Sequence, residues 1–203
     1  MVNKKFLGTQ FPIIQAPMAG VQDSALVIAV SNAGGLGSLP CAMLTPEKLR
    51  AELTLIKSQT GNPFNVNFFC HRQPQANIER EQKWLNILEP YFEEFALSSA
   101  ELTKGAGREP FNEETAEILA EFKPSIVSFH FGLPSSSLLS RVREWDTTIL
   151  ASATTIEEAE WLEAHGADAV IAQGIEAGGH RGMFLSDDLT TQVETFLLLK
   201  QIL

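Results

Sequence analysis

Short apolar, β-prone runs alternate along the chain with longer stretches whose apolar positions recur at helical spacing. The runs Pro12-Ile13-Ile14-Gln15-Ala16, Leu36-Gly37-Ser38-Leu39, Phe64-Asn65-Val66-Asn67-Phe68-Phe69, Ser125-Ile126-Val127-Ser128-Phe129, Thr147-Thr148-Ile149-Leu150-Ala151 and Ala169-Val170-Ile171-Ala172 predict six strands. Several are continuously apolar rather than alternating, as parallel strands covered on both faces must be.

The stretches between them carry helix punctuation. Residues 24 to 32 stop at Gly34-Gly35, a C-cap signal. Thr45-Pro46-Glu47 opens a second helix with an N-cap threonine and proline at the first helical position. Thr154-Thr155-Ile156-Glu157 fits a capping box, and Asn112-Glu113-Glu114 opens a helix that ends before Pro124. A last helix follows Asp187-Asp188. Four of the five strand-to-strand gaps are about 21 to 29 residues, the size of one β–loop–α unit. The exception, roughly residues 70–124, holds two helical stretches (77–95 and 112–122) around Lys104-Gly105-Ala106-Gly107 and predicts an insertion after the third strand. The whole of 1–203 is expected to form one domain of α/β class with right-handed crossovers. Six units would complete an open doubly wound sheet and would fall two short of a (β/α)8 barrel; the pattern alone leaves both open.

Composition narrows the function. The 203 residues are 44% hydrophobic and 20% charged, with 15 Lys and Arg against 25 Asp and Glu, a formal charge of −10. A surface this acidic suits neither nucleic acid nor an anionic membrane, whose affinities rest on cationic side chains. The run Ala25-Leu26-Val27-Ile28-Ala29-Val30 is six residues long, far below the roughly 20 of a membrane span. No apolar stretch follows the lysines of Met1-Val2-Asn3-Lys4-Lys5-Phe6, so no signal peptide is expected. Cys41 and Cys70 make neither a disulfide framework nor a zinc quartet and read as buried thiols, which points to the cytoplasm.

Chemistry concentrates at strand ends. Gln173-Gly174-Ile175-Glu176-Ala177-Gly178-Gly179-His180-Arg181-Gly182 follows the sixth run directly, with glycines that let backbone approach a ligand and adopt positive φ. Its bland alternative is a solvated glycine loop. Gln15-Ala16-Pro17-Met18-Ala19-Gly20-Val21 ends the first run, and Met18 is a polarizable surface suited to a flat ring or, equally, a core methionine. In Asn32-Ala33-Gly34-Gly35-Leu36-Gly37-Ser38 the glycines follow a helix and precede a strand, the reverse of a dinucleotide-binding loop, and read as a cap and turn. Asn67 and His130 are polar residues within apolar runs; each is satisfied internally or faces a ligand. His71 and His165 read as structural or exposed, and Glu157, Glu158 and Glu160 as a solvated helix face. No metal spacing, nucleophile elbow or phosphate-binding loop is present.

Taken in order, Ile14-Gln15-Ala16-Pro17-Met18-Ala19-Gly20, Asn32-Ala33-Gly34-Gly35-Leu36-Gly37 and the segment from Gln173 to Gly182 resemble the nitronate monooxygenase family (formerly 2-nitropropane dioxygenase), most closely its class I members. The last motif is specific; the first two are shared with other FMN barrels, including flavin-dependent enoyl-ACP reductases. The resemblance implies a TIM (β/α)8-type barrel, of which about six of eight β/α units are present, with FMN across the C-terminal strand ends. It implies FMN contacts from Pro17, Met18, Asn67, Gln173, Gly178 and Gly179, a catalytic His180 beside the flavin, and His130 facing the same cavity. The implied reaction is oxidation of alkyl nitronates by O2 to a carbonyl compound and nitrite, with His180 removing the α-proton where a neutral nitroalkane is accepted. The alternatives are an NAD(P)H-dependent flavin reductase of enoyl thioesters or quinones, or an inactive barrel fragment. Family barrels continue to strands seven and eight, which grip the FMN phosphate, so a C-terminally truncated chain is expected. The partners implied are a small-molecule nitronate and O2, with a homo-oligomer left open.

Overall fold

The computed structural model describes residues 6–98, 102 and 108–203. Lys104-Gly105-Ala106-Gly107 and the first five residues of the N-terminal segment lie outside the described residues. The chain divides into two compact units, Met1–His71 with Glu109–Leu203, and Arg72–Arg108.

The first unit is a repeating β/α arrangement. Helix α1 (Ser24–Asn32) precedes β1 (Gly37–Pro40), followed by α2 (Pro46–Gln59), β2 (Phe64–Phe69), α4 (Glu113–Phe122), β3 (Ile126–His130), α5 (Ser136–Arg143), β4 (Thr148–Ala153), α6 (Ile156–His165), β5 (Ala169–Ala172) and α7 (Thr195–Ile202). The second unit contributes α3 (Ile78–Glu94), capped by the Asn77 side chain on Arg80 N and with no residue buried. Helix α4 belongs to the first unit and serves as the crossover between β2 and β3.

All strand pairs are parallel, and the sheet order follows the sequence, β1-β2-β3-β4-β5. A doubly wound sheet would reverse its order at a switch point; this one keeps stepping in one direction, as a barrel wall does. The predicted first strand is only a single parallel bridge, Ile14 to Leu36. Pro12 and Pro17 bracket that segment and lack the N–H groups a longer ladder needs. It is still held in line, with Gln15 N donating to Leu36 O and Leu36 N to Ile13 O, both at 2.9 Å.

Helix ends follow side-chain chemistry. Thr45 caps α2 through Lys48 N, with Pro46 in the first turn. The capping box at the start of α4 is reciprocal between Asn112 and Thr115. At α6 the cap sits one residue later than expected, on Thr155 with Glu158 N as its donor. Helix α1 ends in a turn at Gly34, φ +92°, confirming the cap reading of that glycine segment.

Register sorts the strand residues onto two faces. Leu39, Val66, Phe68, Val127, Phe129, Ile149, Ala151 and Ala153 point outward beneath the helices and form the main core with Leu49, Leu53, Ile56, Ile118, Leu119, Val142 and Leu162. The inward face is layered, as barrel interiors are. Leu36, Ile126 and Leu150 make its apolar floor. Above them lie Ser38, Asn65, Asn67, Ser128 and Ser152, and at the C-terminal rim stand Phe69, His130 and Gln173.

Candidate active site

The rim is built by turns that favour tight geometry over relaxed backbone. Strand β3 ends at His130, and Phe131 takes φ +66° before Gly132 at φ +88°. A bulky residue in the left-handed region costs about 1–2 kcal/mol and is characteristic of functional sites. That turn sets the Phe131 ring against Phe69 (centroids 5.1 Å) and His130 (4.5 Å). His71 packs near both phenylalanines, and its Nδ1 is buried with no partner. His180, from the loop after β5, completes the cluster at 5.4 Å from Phe69 and 6.1 Å from Phe131. Three histidines, His71, His130 and His180, thus share an aromatic rim with Phe69 and Phe131.

The loop that carries His180 is anchored by its neighbours. Gln173 Nε2 donates to His180 O at 2.9 Å, and Gln173 Oε1 accepts from Gly182 N at 2.7 Å. His130 Nε2 lies 3.0 Å from the same His180 carbonyl. A carbonyl can only accept, so this places the proton on Nε2. Burial holds the His130 imidazole below its ordinary titration range, against an opposing contribution from that hydrogen bond, so it is neutral at pH 7. Glu158 is buried, and its carboxylate accepts from Thr154 N (2.7 Å), Thr154 Oγ1 (2.8 Å), Phe184 N (2.6 Å) and Leu185 N (3.2 Å). The expectation of a solvated face fails for Glu158, which faces inward while Glu157 and Glu160 are exposed.

The expected positive φ in this loop is not found. Gly174 and Gly182 are required by crowding instead: a Cβ on Gly174 would strike Thr195 N and Oγ1, and one on Gly182 would stand 2.7 Å from His130 Cε1. Gly178 and Gly179 differ, with no atom within 4 Å of where a Cβ would be. Their backbone borders open space.

Met18 is joined to Asn67 through a relay that starts at the surface and ends in the buried interior. Met18 N donates to Gln22 Oε1 (3.2 Å), and Gln22 Nε2 to Ser38 O (2.6 Å). Asn65 Nδ2 bridges Ser38 Oγ (3.0 Å) and Ser128 Oγ (2.8 Å), and Asn67 Nδ2 reaches Ser128 Oγ at 2.9 Å. Asn65 Oδ1 is left without a partner in this interior. The Met18 side chain is 43% exposed rather than part of the core. The structure therefore brings candidates together in two sets: Met18, with Pro17 before it in the chain, and Asn67 at the two ends of one relay, and His130 from the end of β3 with Gln173 from the end of β5 on the carbonyl of His180, whose loop also carries Gly178 and Gly179. Gln22, Ser38 and Ser128 escaped the sequence reading, since an isolated Ser or Gln carries no pattern. Phe131 had a local signal, the Gly132 that follows it.

Cys41 and Cys70 are free thiols whose burial raises them far above the ordinary range. His165 stacks on Trp161 at 3.9 Å, outside this rim. Among the described residues no helix is long and apolar enough to cross a membrane, and no acidic, Cys or His cluster could hold a metal ion.

Comparison with known proteins decides the family. The family model for nitronate monooxygenase matches residues 2–203. The chain belongs to the nitronate monooxygenase family. It is 46% identical to a nitronate monooxygenase of Paraburkholderia phytofirmans over 193 residues, covering 95% of this chain and 53% of that protein. A nitronate monooxygenase of Pseudomonas aeruginosa is 45% identical over 197 residues, 97% of this chain and 56% of the relative. The fold superposes on nitroalkane oxidase from Streptomyces ansochromogenes with TM-score 0.83 and 37% identity, over 96% of this chain and 56% of that one. A FabK variant from Thermotoga maritima gives TM-score 0.71 at 25% identity, over 98% and 51%. The chain spans about half the length of the curated relatives it matches. The fold is a partial TIM barrel of the kind these nitronate monooxygenase family members share.

Proposed function

We propose that this chain carries the FMN and substrate face of an enzyme that oxidises alkyl nitronates with O2 to carbonyl compounds and nitrite. The observation that carries the reading is the placement of His180 among Phe69, Phe131 and His130 at the C-terminal rim of a parallel barrel wall. In barrels of this class that rim is where chemistry is done.

The residues fit a flat cofactor with polar edges. Met18 offers an exposed thioether, Pro17 a surface without an N–H, and Asn67 and Gln173 amides; Gly178 and Gly179 leave backbone N–H groups beside open space. Gln173 spends one N–H and one lone pair on the loop and retains one of each. These residues would hold FMN, which when bound supplies the electron transfer from nitronate to O2. The aromatic rim shields the alkyl part of a substrate from water. His180 receives the α-proton when the substrate arrives as a neutral nitroalkane, a transfer for which imidazole is suited near neutral pH. A preformed nitronate, already an anion, needs no such step.

Replacing His180 with Asn tests the assignment. Turnover of a neutral nitroalkane is expected to fall by about 10²–10⁴-fold, the usual contribution of a general base, while oxidation of the nitronate persists. Unchanged nitroalkane turnover would remove His180 from the reaction. Rapid flavin reduction by NADH without nitrite release would favour a reductase instead.

A further inference from the structure

His180 is exposed, yet its main chain is held from two strands that β4 separates. From β3, His130 Nε2 donates to the His180 carbonyl at 3.0 Å; from the end of β5, Gln173 Nε2 donates to the same oxygen at 2.9 Å. Both lone pairs of that carbonyl are therefore used. Gln173 Oε1 then takes the Gly182 N–H at 2.7 Å, so one side chain closes both ends of the segment 180–182. Slack is excluded on the far side. A Cβ on Gly182 would lie 3.0 Å from His130 Nδ1, and one on Gly132 would lie 3.1 Å from Phe184 Cδ2. Glu158 fixes the continuation through Phe184 N and Leu185 N.

We infer that His130 and Gln173 are positioning residues, a two-donor clamp on the carbonyl of His180 that presents its imidazole to the reacting carbon in a fixed place. This deepens the reading of His180 as the proton acceptor and rests on it. With the backbone pinned, the imidazole keeps only its own side-chain rotations. Proton transfer is steeply sensitive to such placement, because misplacement by about 1 Å can cost roughly 10²-fold in rate. The clamp leaves the second N–H and lone pair of Gln173 available to a ligand.

The test compares His130→Phe, which keeps an aromatic ring and removes the donor, with His130→Gln, whose amide nitrogen can stand near the position of Nε2. Gln173→Leu removes the second donor. Hydrogen–deuterium exchange over residues 178–186 of the 203-residue chain, with and without FMN, reads the clamp without any turnover. Exchange at Gly182 is expected to quicken by roughly two- to tenfold in His130→Phe, the effect of losing one hydrogen bond, and by more in Gln173→Leu, which also removes the acceptor of the Gly182 N–H. It is expected to stay near the parent rate in His130→Gln. With a neutral nitroalkane, kcat falls in His130→Phe and recovers in His130→Gln. Unchanged loop exchange in His130→Phe overturns the inference, and so does His130→Gln exchanging as fast as His130→Phe. His180→Asn keeps the carbonyl, so loop protection must survive in it. Nitroalkane turnover that also survives there refutes the base assignment and leaves the clamp standing.

Discussion

Glu158 offers the sharpest test of how the loop after β5 is held. Its carboxylate is 1% exposed and receives three backbone N–H groups and one hydroxyl. Each hydrogen bond to a charged acceptor contributes about 1.5–3 kcal/mol, and a buried donor left unpaired costs about 1–3 kcal/mol. In Glu158→Gln one oxygen becomes an NH2 group. Whichever way the amide turns, it faces either the Thr154 donors or those of Phe184 and Leu185 with a donor of its own. One such conflict, partly relieved by relaxation, amounts to about 2–4 kcal/mol. For a chain of this size each kcal/mol lowers Tm by about 2–4 °C, so a fall of roughly 5–15 °C is expected. Thermal unfolding followed by circular dichroism, with a urea titration to confirm an unchanged slope, measures it. Glu157→Gln, on the exposed side of the same turn, is the matched control and should leave Tm in place. A Glu158→Gln chain melting within about 1 °C of the parent would refute the reasoning, because the carboxylate would then not be anchoring the loop.

Other outcomes follow from the same structure. Gly174→Ala places a Cβ against Thr195 N and Oγ1 and should destabilise by about 1–3 kcal/mol in urea unfolding, the range for overpacking. Gly178→Ala enters open space at an unstrained φ and should change stability by less than about 0.5 kcal/mol while weakening FMN retention in a spectral titration. Burial lowers the folded-state proton affinity of His130 relative to the unfolded value near 6.5, so the unfolded chain binds more protons below that pH. Its contribution to stability is therefore complete above about 6.5 and is lost as pH falls from there through the lower folded-state value, and the pH dependence of Tm in this window should flatten in His130→Gln.

Much of the scaffold was legible because its strands are short apolar runs with no competing helical period. β2 and β5 occupy the predicted residues, while β1, β3 and β4 start one residue late. The first run is apolar enough for a strand, but Pro12 within it and Pro17 just after it withhold ladder N–H groups and reduce it to a lone bridge at Ile14. What the residues left open, barrel or doubly wound sheet, depends on strand order, a non-local property that periodicity cannot encode; the resemblance to the nitronate monooxygenases pointed to the barrel. The same limit explains the site. His180 and Gln173 were visible because glycines surround them, whereas Glu158 looked like one more surface carboxylate on α6. Only the loop returning from β5 brings Phe184 N and Leu185 N to it. Likewise Ser38 and Ser128 acquire meaning once register places them beside Asn65 and Asn67 on the inward face.

The central claim is that the strand ends of this chain form an FMN site served by His180. The visible absorption spectrum of the purified 203-residue chain, recorded after FMN is added and the excess removed, tests it most directly. The account predicts a retained flavin spectrum that is diminished in Gly178→Ala and unchanged in Glu157→Gln. A colourless protein, folded by circular dichroism, would contradict it.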